Sequence, residues 1–162
     1  MKEGERMGYI NPLFDKPEIT IPKKAPEKKS QNPIKKRTIR KDKTHNIKFP
    51  VSPVTQMKLK SLCKQAARMY REQGREPLSQ TKFNTLLLRY GLQHEVILQW
   101  THEYSDTKVY MHTNILESEY IEIGGPYGLA IRKNLSERKA VYQIMNSVLK
   151  WLEGEGTLEK II

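Results

Sequence analysis

Thr44-His45-Asn46-Ile47-Lys48-Phe49-Pro50-Val51-Ser52-Pro53 is the stretch on which the fold turns. In an extended chain successive side chains point to opposite faces, so His45, Ile47, Phe49 and Val51 fall on one side and Thr44, Asn46 and Lys48 on the other. This alternation, with β-branched and aromatic members, predicts a half-buried strand. Pro50 has no N–H to give to a ladder, so the strand should be short and end there. Ser52-Pro53 then supplies an N-cap side chain and a proline at the first helical position.

Working outward, Leu59, Leu62, Cys63, Ala66, Met69 and Tyr70 follow the i, i+3, i+4, i+7 spacing of an amphipathic helix. Lys60, Lys64, Arg68 and Arg71 occupy its other side, a solvated basic surface or a phosphate contact. Gly74 ends this helix and Arg75-Glu76-Pro77 makes a turn. Ser79 caps a second helix striped by Phe83, Leu86, Leu87 and Tyr90. Strand, helix, tight turn and helix thus occupy about 50 residues, 44–93.

This order, and the run Asn46-Ile47-Lys48-Phe49-Pro50 (polar, aliphatic, basic, aromatic, proline), resembles the ribbon-helix-helix DNA-binding proteins, specifically the Arc/MetJ-type repressors of phages, plasmids and other mobile elements. In that family two chains pair their strands antiparallel, and the resulting ribbon enters the major groove. The resemblance implies a homodimer or higher oligomer in which Thr44, Asn46 and Lys48 read base edges while His45, Ile47 and Phe49 form the dimer core. It also implies that the start of the second helix, at Ser79, Gln80, Thr81 and Lys82, grips a DNA phosphate. Asn suits adenine and Lys suits guanine. The chain departs from the family in a longer first helix and in His45, which stands where an apolar residue is expected. The competing reading is an α+β domain whose strand pairs internally and whose Lys48 simply faces solvent.

Residues 108–162 show a related order. Val109 to Asn114 alternates like a strand, with Tyr110, His112 and Asn114 in the outward positions. Leu135-Ser136-Glu137-Arg138-Lys139 matches Leu78-Ser79-Gln80-Thr81-Lys82 as L-S-x-x-K before a helix, here striped by Val141, Ile144, Val148, Trp151 and Leu152. Two readings stand: a second, divergent ribbon-helix-helix unit, or a small α+β oligomerisation domain. Ile123-Gly124-Gly125-Pro126-Tyr127-Gly128 interrupts the first helix of such a unit, and a β-hairpin over 120–133 would exclude it. Gln93 to Tyr104 predicts a connecting helix that packs Val96, Ile97 and Trp100, and residues 94–107 are assigned to this connection.

The chain has 162 residues and a net charge of +11. Residues 1–43 carry thirteen Lys/Arg and six acids, or +7, leaving +4 for the other 119, and they hold five of the nine prolines. Such a composition predicts a disordered basic arm, with Lys35, Lys36, Arg37, Arg40, Lys41 and Lys43 as phosphate contacts. Ile10, Leu13, Phe14, Ile19 and Ile21 within it would serve a protein partner, if the arm has one. No run approaches the ~18 apolar residues of a membrane span, and Cys63 is the lone cysteine. No membrane partner, metal or cofactor is expected. His94, His102 and His112 lack zinc spacing, the glycine cluster lacks P-loop residues, and no catalytic carboxylate pair or triad stands out, so the chain reads as a non-enzyme.

The expected fold class is α+β, mainly helical. The expected function is sequence-specific double-stranded DNA binding in the bacterial cytoplasm, as a transcription regulator or repressor, or as an accessory protein of a plasmid conjugation relaxosome or partition complex. The alternative is an RNA- or ribosome-associated basic protein, which the scarcity of aromatics for base stacking disfavours.

Overall fold

The computed structural model describes Arg40 and residues 43–162. The expected disordered arm lies outside the described residues except for Arg40 and Lys43, and so do Lys35, Lys36, Arg37, Lys41 and the apolar residues between 10 and 21. The architecture is mixed α+β and mainly helical.

The first half follows the sequence closely. Strand β1 spans Thr44–Pro50 and helix α1 Pro53–Glu72. The Ser52 hydroxyl accepts from the Thr55 N–H at 3.1 Å, satisfying a donor the helix cannot use internally. Leu59, Cys63, Ala66 and Tyr70 are buried. Past the C-cap Gln73, Gly74 takes φ +67°, a left-handed turn that glycine makes without a Cβ penalty. Helix α2 spans Gln80–Gln93, and the Ser79 hydroxyl accepts from the Lys82 N–H at 3.2 Å.

The segment after α2 departs from expectation. Instead of a connecting helix there is one 3-10 turn, Glu95–Ile97, followed by irregular chain to Val109. Two buried polar side chains of a later helix take the hydrogen bonds that a helix would have made internally. Ser147 Oγ accepts from the Gln99 N–H at 2.8 Å and shares its one proton between the carbonyls of Gln143 and Gln99, and Gln143 brackets His102, accepting from its N–H and donating to its carbonyl. Ile97 and Trp100 do pack against the core, but Val96 is 99% exposed.

Strand β2 spans Tyr110–Leu116, and three helices follow: α3 (Glu117–Gly124), α4 (Leu129–Arg132) and α5 (Glu137–Gly154). Residues 120–133 are therefore helix, turn and helix rather than a hairpin. The Glu119 carboxylate accepts from the Leu116 N–H at 2.9 Å at the start of α3, and Ser136 caps α5.

The pairing of the two strands is the main correction to the sequence reading. β1 pairs antiparallel with β2 of its own chain, in the register Thr44↔Leu116, Asn46↔Asn114, Lys48↔His112 and Pro50↔Tyr110. The inward residues of both strands, Ile47 and Phe49 with Met111, Thr113 and Ile115, are buried on one side. Ile47 and Phe49 thus help to close a core within one chain. His45 is only half-buried, with its ring stacked on Tyr120. A two-stranded sheet is marginal alone. Here its inner face lies on α2 and α5, which also pack on each other. Residues 44–93 and 108–162, expected as separate domains, share one hydrophobic core in one compact unit. The buried Phe49 and Ile115 side chains each contribute about 1.5–3 kcal/mol relative to exposure.

Gly91 marks how closely α2 and α5 approach. A Cβ there would lie 2.4 Å from Ile144 Cγ2 and 3.0 Å from Val148 Cγ2, branches that are stiff in a helix. Gly→Ala in a helix normally stabilises by about 0.5–1 kcal/mol. At Gly91 the clash reverses the sign, and Gly91→Ala is expected to cost about 1–3 kcal/mol in denaturant unfolding. Gly154→Ala, with nothing within 4 Å of its Cβ, should be neutral or stabilising.

Candidate nucleic-acid interface

Away from the core, the ribbon turns a polar face to solvent. Thr44, Asn46 and Lys48 of β1 and His112, Asn114 and Leu116 of β2 are exposed, and Tyr110 is half-exposed. Cross-strand pairing sets Asn46 opposite Asn114 and Lys48 opposite His112, so the expected readers of both strands meet on one surface. Leu116, opposite Thr44, joins this face without having been anticipated.

The side chains are mutually constrained. Asn46 Oδ1 accepts a hydrogen bond from His112 Nδ1 at 2.9 Å. An amide oxygen only accepts, so in this contact the proton sits on Nδ1. Bidentate binding of adenine by Asn46 needs both its amide oxygen and nitrogen, so His112 must give up this bond or share the reading. Lys48 Nζ lies 5.1 Å from the Tyr110 ring centroid and the Arg138 guanidinium 5.4 Å from it, so two cations lie against one ring. The Tyr110 hydroxyl donates to Asp106 at 2.7 Å, which holds the Asp106 carboxyl below its ordinary range and the phenol above its own. Nothing in the alternation of residues 109–114 announces this cluster, because Asp106 and Arg138 come from irregular chain and from a later helix.

Two helix starts flank the ribbon. On the α2 side, Asn84 Nδ2 donates to the His112 carbonyl at 3.0 Å and Thr85 Oγ1 accepts from the Asn114 N–H at 2.8 Å, which fixes the outer edge of β2. Of the predicted phosphate grip, Ser79 and Lys82 are exposed and Thr81 is half-buried. The Gln80 side chain turns inward, donating to Asn84 at 3.0 Å and to the Leu59 carbonyl at 3.4 Å, so only its backbone remains for an anion. On the α5 side, Glu137 and Arg138 line a cleft of about 290 Å³ with Asn46, Ile47 and Lys48. Where α2 has Gln80-Thr81, α5 has Glu137-Arg138. The Glu137 carboxylate accepts from the Tyr120 hydroxyl at 2.5 Å.

Lys43, the last arm residue expected to meet phosphate, is engaged at the ribbon end. Its Nζ lies 3.1 Å from Glu117, and its carbonyl accepts from the Glu117 N–H at 2.9 Å. Glu117 also bonds His45 Nε2. The polar contact that replaces the expected apolar residue at position 45 is therefore a clamp between the start of β1 and the start of α3. Its hydrogen bonds, from His45 first and Lys43 second, hold the Glu117 carboxyl below the ordinary glutamate range. A carboxyl depressed in the folded state stabilises above its unfolded pKa, and that contribution is lost as pH falls through the folded value. Glu117→Gln should accordingly lower Tm at neutral pH, and its gap from the parent chain should close as pH drops below about 4.5, as thermal unfolding across pH will show.

No protein-family model, curated protein or solved structure matches this chain.

Proposed function

We propose that this chain binds double-stranded DNA in a sequence-specific manner by inserting the β1–β2 ribbon into the major groove, and that it supplies both strands of that ribbon itself. The observation that carries the reading is the paired, solvent-facing set Asn46, Lys48, His112 and Asn114 on a two-stranded antiparallel ribbon backed by helices. A major groove of ~12 Å admits such a ribbon, and these side chains match its donor and acceptor code. A strand followed by helices occurs twice around one ribbon, as β1-α1-α2 from Thr44 to Gln93 and as β2-α3-α4-α5 from Tyr110 to Gly154, which supports a ribbon-helix-helix-like architecture folded as one chain. The exposed Ser79 and Lys82 and the half-exposed Arg138, at the two helix starts, would hold phosphates on either side.

Because the two strands differ in sequence, the recognised site lacks two-fold symmetry. A DNA-binding protein of this kind serves as a transcription regulator or as an accessory protein at a transfer origin or partition site of a mobile element. No catalytic step is assigned to it.

The reading is tested by binding to a site selected from random duplexes. Asn46→Ala and Lys48→Ala should each cost about 1–3 kcal/mol on that site and far less on random duplex, measured by fluorescence anisotropy. His112→Ala and Asn114→Ala should relax preference at base pairs other than those affected by the β1 substitutions. Unchanged affinity and preference in all four variants would remove the ribbon from the interface, and tighter binding of structured RNA than of duplex would favour an RNA role.

A further inference from the structure

The ribbon reading leaves one strongly charged surface unused, the solvent side of α1. Lys60, Lys64, Arg68 and Arg71 are all exposed. At 100° per residue they span an arc of about 80°, opposite the buried Leu59, Cys63, Ala66 and Tyr70. Like charges three and four residues apart repel and weaken a helix. The helix offers no relief: its only acid is Glu72, at its end, and among the described residues none of the four cations has a carboxylate within 4 Å.

The surface is confined to one half of the molecule. Residues 44–93 hold nine Lys/Arg and two acids, whereas residues 94–162 hold seven and ten. The helix that follows β2, as α1 follows β1, is α3, with Glu117, Glu119 and Glu122. A second copy offering α3 to α1 is one way to neutralise the stripe. Two of those three carboxylates are already engaged, however: Glu117 with His45 and Lys43, and Glu119 with Arg89 at 2.5 Å. Only Glu122 remains, one charge against four.

We infer that the α1 stripe is a second DNA-contacting surface, a sequence-independent seat for the phosphate backbone of duplex DNA. From Lys60 to Arg71 the helix rises about 16 Å, a length of duplex that carries about nine phosphates on its two strands. A row of long, flexible cationic side chains on a rigid rod fits a phosphate row without reading bases. This surface stands on the stripe alone and does not depend on the ribbon.

The test is the salt dependence of binding to a random-sequence duplex by the full chain, comparing the parent with a variant carrying Lys60→Ala, Lys64→Ala, Arg68→Ala and Arg71→Ala. Alanine is the best helix former and the buried face is untouched. The slope of log affinity against log salt should become shallower by about 0.9 for each phosphate that is no longer neutralised, up to about 3.6, with preference between the selected and the random duplex unchanged. Each single substitution should reduce the slope by about 0.9, which keeps the test decisive if the quadruple variant fails to fold. Arg68→Lys with Arg71→Lys, which keeps the charges, should leave it as in the parent. An unchanged slope, absence of any binding to random duplex at low salt, or loss of self-association in place of DNA affinity would overturn the inference. Failure of the ribbon reading shows elsewhere, in the Asn46 and Lys48 variants on the selected site.

Discussion

Antiparallel pairing of β1 with β2 inside one chain is the constraint on which the rest depends. It turns Ile47, Phe49, Met111, Thr113 and Ile115 to one side, where α2 and α5 cover them, and Asn46, Lys48, His112 and Asn114 to the other. The closure entropy of so long a connection grows only slowly with its length. The connection is also tacked down, because Gln143 and Ser147 of α5 hold the backbone at Gln99 and His102. Two chains sharing a ribbon would lose it on dilution, whereas a ribbon closed within one chain has no such concentration dependence.

The two strands of the ribbon sit in parts of the chain that differ in sequence. Counting from the first strand residue, Asn46 corresponds to His112, Lys48 to Asn114 and His45 to Met111, an offset of 66 residues, while the helix caps Ser79 and Ser136 are offset by 57. The nine-residue difference falls where the first half has the single helix α1 and the second has the shorter α3 and α4 around Gly124 and Gly125. The two halves differ in charge and in contacts. One keeps a long basic helix and Lys48, and the other carries His112, the Tyr110–Arg138 stack and an acidic α3 clamped to the root of the arm.

Much of the first half was legible because its signals are local. Alternation from Thr44 to Val51, the Ser52-Pro53 cap, the stripe of α1, Gly74 and the Ser79 cap each act within a few residues, and each element formed where its chemistry sits. The second half was legible only at its ends, Tyr110 to Asn114 and Ser136 onward, because α3 and α4 are too short for a helical period to show. The 94–107 segment has apolar spacing that suits a helix, but its hydrogen bonds go to Gln143 and Ser147, far along the chain, which no local pattern encodes. The partner of β1 was illegible for a related reason. An alternating strand specifies which face is buried, and says nothing about whether the neighbouring strand comes from its own chain or another. At the candidate interface the outward residues were readable by parity alone. Their mutual constraints, His112 on Asn46 and Tyr110 against Lys48 and Arg138, arise only once the register is set.

Selection of bound sequences from a random duplex library by the full-length chain tests the central claim most directly, since the symmetry of the enriched motif reports the symmetry of the ribbon that reads it. A ribbon built from β1 and β2 of one chain predicts a defined motif without two-fold symmetry. Two-fold symmetry within the few base pairs that one ribbon spans would mean that identical strands from two chains form the reading surface, and no enrichment would mean that the ribbon does not read DNA; either result contradicts the account.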